Sequence, residues 1–293
     1  MALTQEVLLA FRPKTLTAAL VPCVAATALA WATGQNVDGQ ALVFALMAAF
    51  LIQIGTNLVN DAVDFKKGAD TPERIGPRRI TAAGVLSARR VMALGTLCFV
   101  LAVAFGIPLV LKGGWPIIAI GLVSVLMGYA YTAGPFPLAY LGLGDLFVIL
   151  FFGLLAVGGL YFIHTGQVDE RALWLGLQIG FHATVLIAIN NLRDRAGDAK
   201  VGKKTMAVRF GESFSKAEII ILTIAPFVMN LFWWEQGWRW AALLPLLALP
   251  LALKLLRGIL REAPGQVYNR FLGMAAGVHL LFGLLLSLGL WLS

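Results

Sequence analysis

Apolar residues along this chain form long blocks, and polar residues are largely confined to the short stretches between them. Nine blocks are long enough to cross the hydrocarbon core of a bilayer, which requires about 20 helical residues. They lie near residues 15–33, 41–60, 90–111, 115–132, 141–163, 171–190, 217–235, 239–257 and 269–291. The pattern therefore predicts an all-α membrane protein with nine transmembrane helices.

The composition agrees with this pattern. Hydrophobic residues make up 59% of the chain and charged residues only 13%, whereas soluble domains carry about a quarter charged residues. Cys23 and Cys98 both lie inside apolar blocks, which predicts small buried side chains rather than a disulfide or a thiolate metal site. The first block follows Arg12 and Lys14, but its length predicts a membrane span rather than a cleaved signal.

The distribution of basic residues predicts the orientation. If successive loops alternate between the two sides of the membrane, 20 of the 23 Lys and Arg residues lie on the side of the N-terminus. Because basic loops are retained in the cytoplasm, we expect the N-terminus to be cytoplasmic and the protein to lie in the cell (inner) membrane. The basic residues flank apolar blocks, which disfavours a nucleic-acid-binding domain, and we expect residues 1–293 to form a single membrane domain.

Two polar segments on the predicted cytoplasmic side resemble each other. The first acidic segment is NLVNDAVD (57–64) and the second is NNLRDRAGD (190–198). In the first segment, helical spacing places on one face Asn57, either Asn60 or Asp61, and Asp64. In the second segment it places on one face either Asn190 or Asn191, Asp194 and Asp198. Acidic residues contribute little to orientation and are costly near hydrocarbon, so their repetition indicates a functional site.

These residue types predict the chemistry of that site. Two acidic helix faces brought together repel each other unless a cation lies between them, and oxygen ligands favour Mg²⁺. Basic residues follow each segment, and we expect Lys67, Arg78 and Lys204 to bind phosphate oxygens. The combination suits a metal–diphosphate complex with a lipid tail among the spans. We expect the path of that tail to be lined by the aromatic residues Tyr129, Tyr131, Phe136, Phe151 and Phe152. The intervening stretch 131–145 is predicted to be a tight turn.

The same segments resemble those of a known family. NLVNDAVDFKKGAD and NNLRDRAGDAKVGKKT are similar to the two aspartate-rich motifs of the UbiA-type intramembrane prenyltransferases, which have nine helices around a central cavity. The resemblance implies that Asn57, Asp61 and Asp64 form one motif and Asn191, Asp194 and Asp198 the other. The four aspartates would then be the catalytic Mg²⁺ ligands, and Asn57, Asn60, Tyr131 and Asn191 would contact substrate.

A finer likeness concerns one branch of that family. DFKKGADTPERIGPRRIT, YTAGPFPLAYLGLGDLFVILFFG and KKTMAVRFG resemble the branch that transfers a polyprenyl group to 1,4-dihydroxy-2-naphthoate, with decarboxylation, in menaquinone and phylloquinone biosynthesis. One departure from the general family pattern is that a third acidic residue is absent four positions after each motif, where Gly68 and Gly202 stand. The resemblance implies a polyprenyl diphosphate and a naphthoate as substrates.

Two alternatives remain open from the sequence. The acceptor could be another aromatic ring, such as 4-hydroxybenzoate or homogentisate. A cation-coupled transporter would also combine many spans with acidic residues, but it requires charges near the bilayer midplane. All Asp and Glu residues of this chain fall at or beyond the ends of the predicted spans, which disfavours a transporter.

Overall fold

The computed structural model describes residue 6 and residues 10–68, 75–76, 79–134 and 137–293. Within these ranges the chain is helical, without a β-strand. Its apolar helices are α1 (Pro13–Ala32), α2 (Gly39–Lys66), α3 (Ala88–Gly113), α4 (Trp115–Ala130), α5 (Gly144–Thr165), α6 (Glu170–Lys200), α7 (Met206–Glu235), α8 (Arg239–Arg261) and α9 (Tyr268–Trp291). Within the described residues, nine apolar helices coincide with the nine predicted spans, and the all-α prediction is confirmed.

The lengths and surfaces of these helices suit a bilayer. Eight of the described helices are long and apolar enough to cross a membrane, and α4, with 16 residues, is shorter. Large apolar side chains of α3 and α4 point outward, among them Val100, Leu111 and Leu126, each more than half exposed. Such a surface is stable against lipid but not against water, so the chain is an integral membrane protein.

Polar caps begin the helices that carry the acidic segments. The Asp38 carboxylate accepts a hydrogen bond from the Gln40 amide at 2.8 Å at the start of α2. Asp169 accepts one from the Ala172 amide at 3.1 Å at the start of α6. From these caps α2 and α6 extend to Lys66 and Lys200, well past the ends of their apolar blocks. Both acidic segments are therefore helical, as their spacing predicted.

Glycine residues allow α5 to approach α6 closely. A Cβ atom on Gly153 would overlap the carbonyl oxygen of Gly176 and lie 2.9 Å from the Cα of Gly180. The surrounding turn, Ile149–Leu155, is a π-helix, a distortion that often occurs beside functional sites. Helix α1 packs against α2, α5, α6 and α9, so it lies at the centre of the bundle.

Candidate active site

A cavity of about 550 Å³ opens inside the bundle, a size typical of ligand sites. Its polar end contains amide and acidic side chains of both segments, namely Asn57, Asn60, Asp64, Asn190, Asn191, Asp194 and Asp198, together with the cations Arg12, Arg79 and Lys203. The rest of the wall is mainly apolar and includes Ile107, Phe151 and Phe152. The helix ends predicted to form one site do so.

Asp64 is surrounded by donors at this polar end. Its Oδ2 accepts hydrogen bonds from Arg79 Nη2 at 3.1 Å and from Lys203 Nζ at 3.2 Å. Its Oδ1 accepts one from the Tyr140 hydroxyl at 3.3 Å. Because Asp64 is only 3% exposed, these two cations offset the cost of burying its charge.

Lys203 connects the two acidic segments. Its ammonium group also lies 3.9 Å from Asp198 Oδ1, so a cation already stands between a carboxylate of α2 and one of α6. No group of three or more acidic, His or Cys side chains converges within the described residues. Mg²⁺ in phosphate-transfer sites usually takes only one or two carboxylates and completes its shell with water and phosphate. The donors therefore fit Mg²⁺ bound together with a diphosphate.

Arg193 fixes the carboxylate of Asp194. Its Nε and Nη2 atoms donate to the two oxygens of Asp194 at 2.8 and 2.6 Å, a bidentate pair of defined geometry. The remaining donors reach Asn190 Oδ1 and Asn269 Oδ1, both at 2.7 Å. Asn190 is thus engaged by Arg193, and Asn191 also lines the cavity.

Asp61 has surroundings different from those of Asp64. Its oxygens accept hydrogen bonds from the Ile80 amide at 3.1 Å, from the Thr81 amide at 3.3 Å and from the Thr81 hydroxyl. Asp61 is not among the described residues that line the cavity. In this arrangement it anchors the loop that carries Arg79 instead of facing the cavity beside Asp64 as a metal ligand.

The asparagines of the first segment hold neighbouring backbone in place. Asn57 donates from Nδ2 to the Phe11 carbonyl and to Thr15 Oγ1, both at 3.2 Å. These bonds fix the turn that carries Arg12, whose φ of 53° is left-handed and unusual for a non-glycine residue. Asn60 accepts a hydrogen bond from the Thr132 hydroxyl.

The three basic residues predicted to bind phosphate have different positions. Lys67 lies on the exposed rim, where its Nζ donates to the Thr132 carbonyl at 3.0 Å and lies 4.2 Å from the centre of the Tyr140 ring. Lys204 is exposed, and its neighbour Lys203 lines the cavity in its place. Arg78 lies outside the described residues.

The segment between α4 and α5 contributes a third wall, where the sequence predicted a tight turn and a substrate contact at Tyr131. Tyr131 and Asp145 line the cavity, and Tyr140 contacts Asp64. Burial, followed by the charges of Asp145, Asp64 and Asp198, raises the pKa of Tyr131. The sequence signals for this wall were Tyr131, predicted to contact substrate, and Asp145, an acidic residue after a long uncharged stretch. Phe136 of the same segment lies outside the described residues.

Comparison with known proteins identifies the class. The chain belongs to the UbiA prenyltransferase family, whose model matches residues 19–291. It is 35% identical to the 1,4-dihydroxy-2-naphthoate octaprenyltransferase of Escherichia coli K12 over 99% of this chain and 96% of the relative. The Haemophilus influenzae enzyme of the same name is 34% identical over 95% and 93%. A UbiA homolog from Archaeoglobus fulgidus bound to DMAPP and Mg²⁺ shares the fold, with a TM-score of 0.61 at 16% identity, covering 96% of this chain and 99% of its own.

Proposed function

We propose that this protein transfers a polyprenyl group from its diphosphate to 1,4-dihydroxy-2-naphthoate, with loss of the carboxyl group as CO₂. The observation that carries the proposal is a single cavity with Asp64, Asp194 and Lys203 at one end and apolar walls elsewhere. A diphosphate needs cations around its oxygens, and a polyprenyl tail needs an apolar surface. The naphthoate acceptor is supported by the names of the E. coli and H. influenzae relatives, which align with nearly the whole chain.

The family's solved structures support a divalent metal, and the donors of this cavity suit Mg²⁺. Asp64, Asp194 and Asp198 would supply carboxylate oxygens, and Asn57 and Asn191 amide oxygens. Bound Mg²⁺ would stabilise the charge that develops on the leaving diphosphate. Asp61 acts indirectly, by holding the loop of Arg79.

The cations of the cavity bind the diphosphate oxygens. Arg79 and Lys203 pair with Asp64, and both turn toward phosphate when the donor brings further negative charge. Lys67 on the rim extends this basic surface toward the opening, and Arg78 stays a predicted phosphate ligand. Positive charge on both sides of the diphosphate favours cleavage of its bond to the allylic carbon.

The apolar part of the cavity protects the reactive species. Phe151 and Phe152 face it from the π-helical turn of α5, and aromatic faces stabilise a nearby cation. The ring carbon of the acceptor that bears the carboxylate attacks the allylic carbon. Exclusion of water prevents water from capturing the allylic cation first. The distribution of basic residues supports an opening toward the cytoplasm from the inner membrane.

The test is a product assay on purified protein in detergent, with geranylgeranyl diphosphate and equal amounts of 1,4-dihydroxy-2-naphthoate and 4-hydroxybenzoate, with and without Mg²⁺. We expect a prenylated naphthoquinol that forms only with Mg²⁺ and is lost in the Asp64→Asn variant. If prenylated hydroxybenzoate is the only product, prenyl transfer is retained and the naphthoate acceptor is rejected. If folded protein forms neither product, prenyl transfer is rejected and cation transport becomes the alternative to test.

A further inference from the structure

The segment 131–143 is fastened to both acidic segments by its described residues. The Tyr140 hydroxyl donates to Asp64, while the Tyr140 carbonyl accepts a hydrogen bond from the Lys204 amide at 3.1 Å. Gly142 lies directly against the Lys204 carbonyl, where a Cβ atom would overlap it. The residues that follow this segment are therefore held at a fixed position relative to the diphosphate site.

Asp145 follows this segment, in the first turn of α5. It is only 7% exposed and lines the cavity, yet neither carboxylate oxygen has a hydrogen-bond partner within the described part of the chain. A buried carboxylate that no donor satisfies is costly, and such groups are rare in folded proteins. Its position thus indicates an interaction with a bound ligand.

The other carboxylates of the cavity are already engaged. Asp64 is paired with Arg79 and Lys203, Asp194 with Arg193, and Asp198 lies near Lys203. Neighbouring cations stabilise the ionised form of a carboxylate and make it a weak base. Asp145 has no such partner among the described residues, so it is the better proton acceptor.

Tyr131 relates Asp145 to the diphosphate site. Its hydroxyl oxygen would lie 3.1 Å from a Cβ atom on Gly144, the residue before Asp145. The charges of Asp145, Asp64 and Asp198 all act on this hydroxyl, so it lies within electrostatic reach of both groups. If an aromatic acceptor binds beside Tyr131, one of its ring substituents lies within reach of Asp145. The ring itself then lies within reach of the allylic carbon of the prenyl donor.

We propose that Asp145 is the catalytic base that accepts the proton of the acceptor's hydroxyl group adjacent to the carboxylate. This inference rests on the proposed function. As the ring carbon bonds to the allylic carbon, the carbon–oxygen bond to diphosphate breaks, and the deprotonated hydroxyl becomes a ketone. The carboxylate then leaves as CO₂, its bonding electrons form an enolate, and Asp145 returns the proton to that oxygen. The step consumes no net proton and requires no oxidant or reductant.

The first test compares Asp145→Asn with wild type, using geranylgeranyl diphosphate, 1,4-dihydroxy-2-naphthoate and Mg²⁺. We expect kcat to fall by about 10²- to 10⁴-fold, the usual contribution of a general base, with the KM for the donor and the Mg²⁺ dependence unchanged. The exposed carboxylate of Glu235 provides the matched control, and Glu235→Gln is expected to retain wild-type turnover. Wild-type turnover in Asp145→Asn would overturn the assignment while leaving the proposed function intact. No product from wild type would instead reject the proposed function.

A second test changes the substrate rather than the protein. An acceptor methylated on the hydroxyl next to the carboxylate cannot give up that proton, so wild type should lose about as much rate as Asp145→Asn loses with the normal acceptor. The two defects should not multiply when combined, because they remove the same proton transfer. Multiplying defects would overturn the role of Asp145 as the base for this hydroxyl.

A third test distinguishes a base from a structural residue. Because the Asp145 carboxylate is unsatisfied, Asp145→Ala should leave the thermal unfolding midpoint unchanged or raise it. Formate should restore part of its turnover by occupying the vacated site, with no effect on Asp64→Ala. A lowered midpoint, or a folded Asp145→Ala that formate does not rescue, would contradict the proposal.

Discussion

Lys203 and Lys204 are neighbours of the same type, but only Lys203 enters the cavity. Lys203 contacts Asp64 at 3.2 Å, whereas Lys204 is exposed. A charge-assisted bond to phosphate contributes about 1.5–3 kcal/mol, so we expect Lys203→Ala to lower kcat/KM for the prenyl donor by about 10- to 100-fold. Lys204→Ala should remain within about twofold. Steady-state kinetics with varied donor measure both, and the reverse order would return the phosphate-binding role to Lys204.

Asp61 and Asp64 show how far spacing alone can assign roles to residues. Their separation of three places both on one side of α2, which the sequence predicted. The loop containing Ile80 and Thr81 then covers Asp61, while Arg79 and Lys203 reach Asp64. The difference depends on a loop 19 residues away in sequence, and helical periodicity contains no information about such a contact.

Asn57 and Arg193 each have a structural role that their sequence context did not indicate. Asn57 lines the cavity, so its substrate contact stays a prediction, while its amide nitrogen holds the turn of Arg12. Arg193 lies inside the second acidic segment, where it is buried and holds Asp194. Residue type indicated a polar contact in each case, and the partner was decided by the packing of α2 against α1 and of α6 against α9.

At the scale of elements, the crossing of α5 and α6 depends on Gly153. A methyl group there would overlap the Gly176 carbonyl, so we expect Gly153→Ala to destabilise the protein by about 1–3 kcal/mol, as overpacking usually does. The matched control is Gly158→Ala on the same helix, where the nearest atom, Val168 Cγ1, lies 3.9 Å from the added Cβ. Because alanine favours helix, this control should be neutral or slightly stabilising. Thermal unfolding in detergent compares them, and equal midpoints would contradict the close crossing.

The lengths of α2 and α6 show what apolar patterns reveal about elements. The apolar blocks ended near residues 60 and 190, but the helices continue to Lys66 and Lys200. Hydropathy marks where the hydrocarbon ends, whereas helices end where backbone hydrogen bonding stops. The Asn/Asp spacing predicted these extensions. The π-helical turn Ile149–Leu155 had no comparable signal, because it arises from the contact with α6.

For the whole molecule, the orientation remains a prediction that labelling can test. With nine spans and a cytoplasmic N-terminus, Gln236 between α7 and α8 lies outside and Ala82 before α3 lies inside. In a chain lacking Cys23 and Cys98, an impermeant maleimide should label Gln236→Cys in intact cells and Ala82→Cys only after permeabilisation. Both positions are exposed, so accessibility is comparable. Labelling of Ala82→Cys in intact cells would reverse the orientation.

The amino-acid sequence was enough to predict nine apolar helices, the membrane environment and the gathering of both acidic segments at one end of the bundle. These properties are local, since hydropathy, helical spacing and loop charge can be read within short windows. That residues 1–293 form one domain stays a prediction. Only the tertiary structure decided which side chains share the cavity. Lys203 and Asp64 are 139 residues apart, and the Asp145 carboxylate has no hydrogen-bond partner among the described residues because of what packs around it. Such contacts depend on helix crossings, which are set jointly by distant parts of the chain.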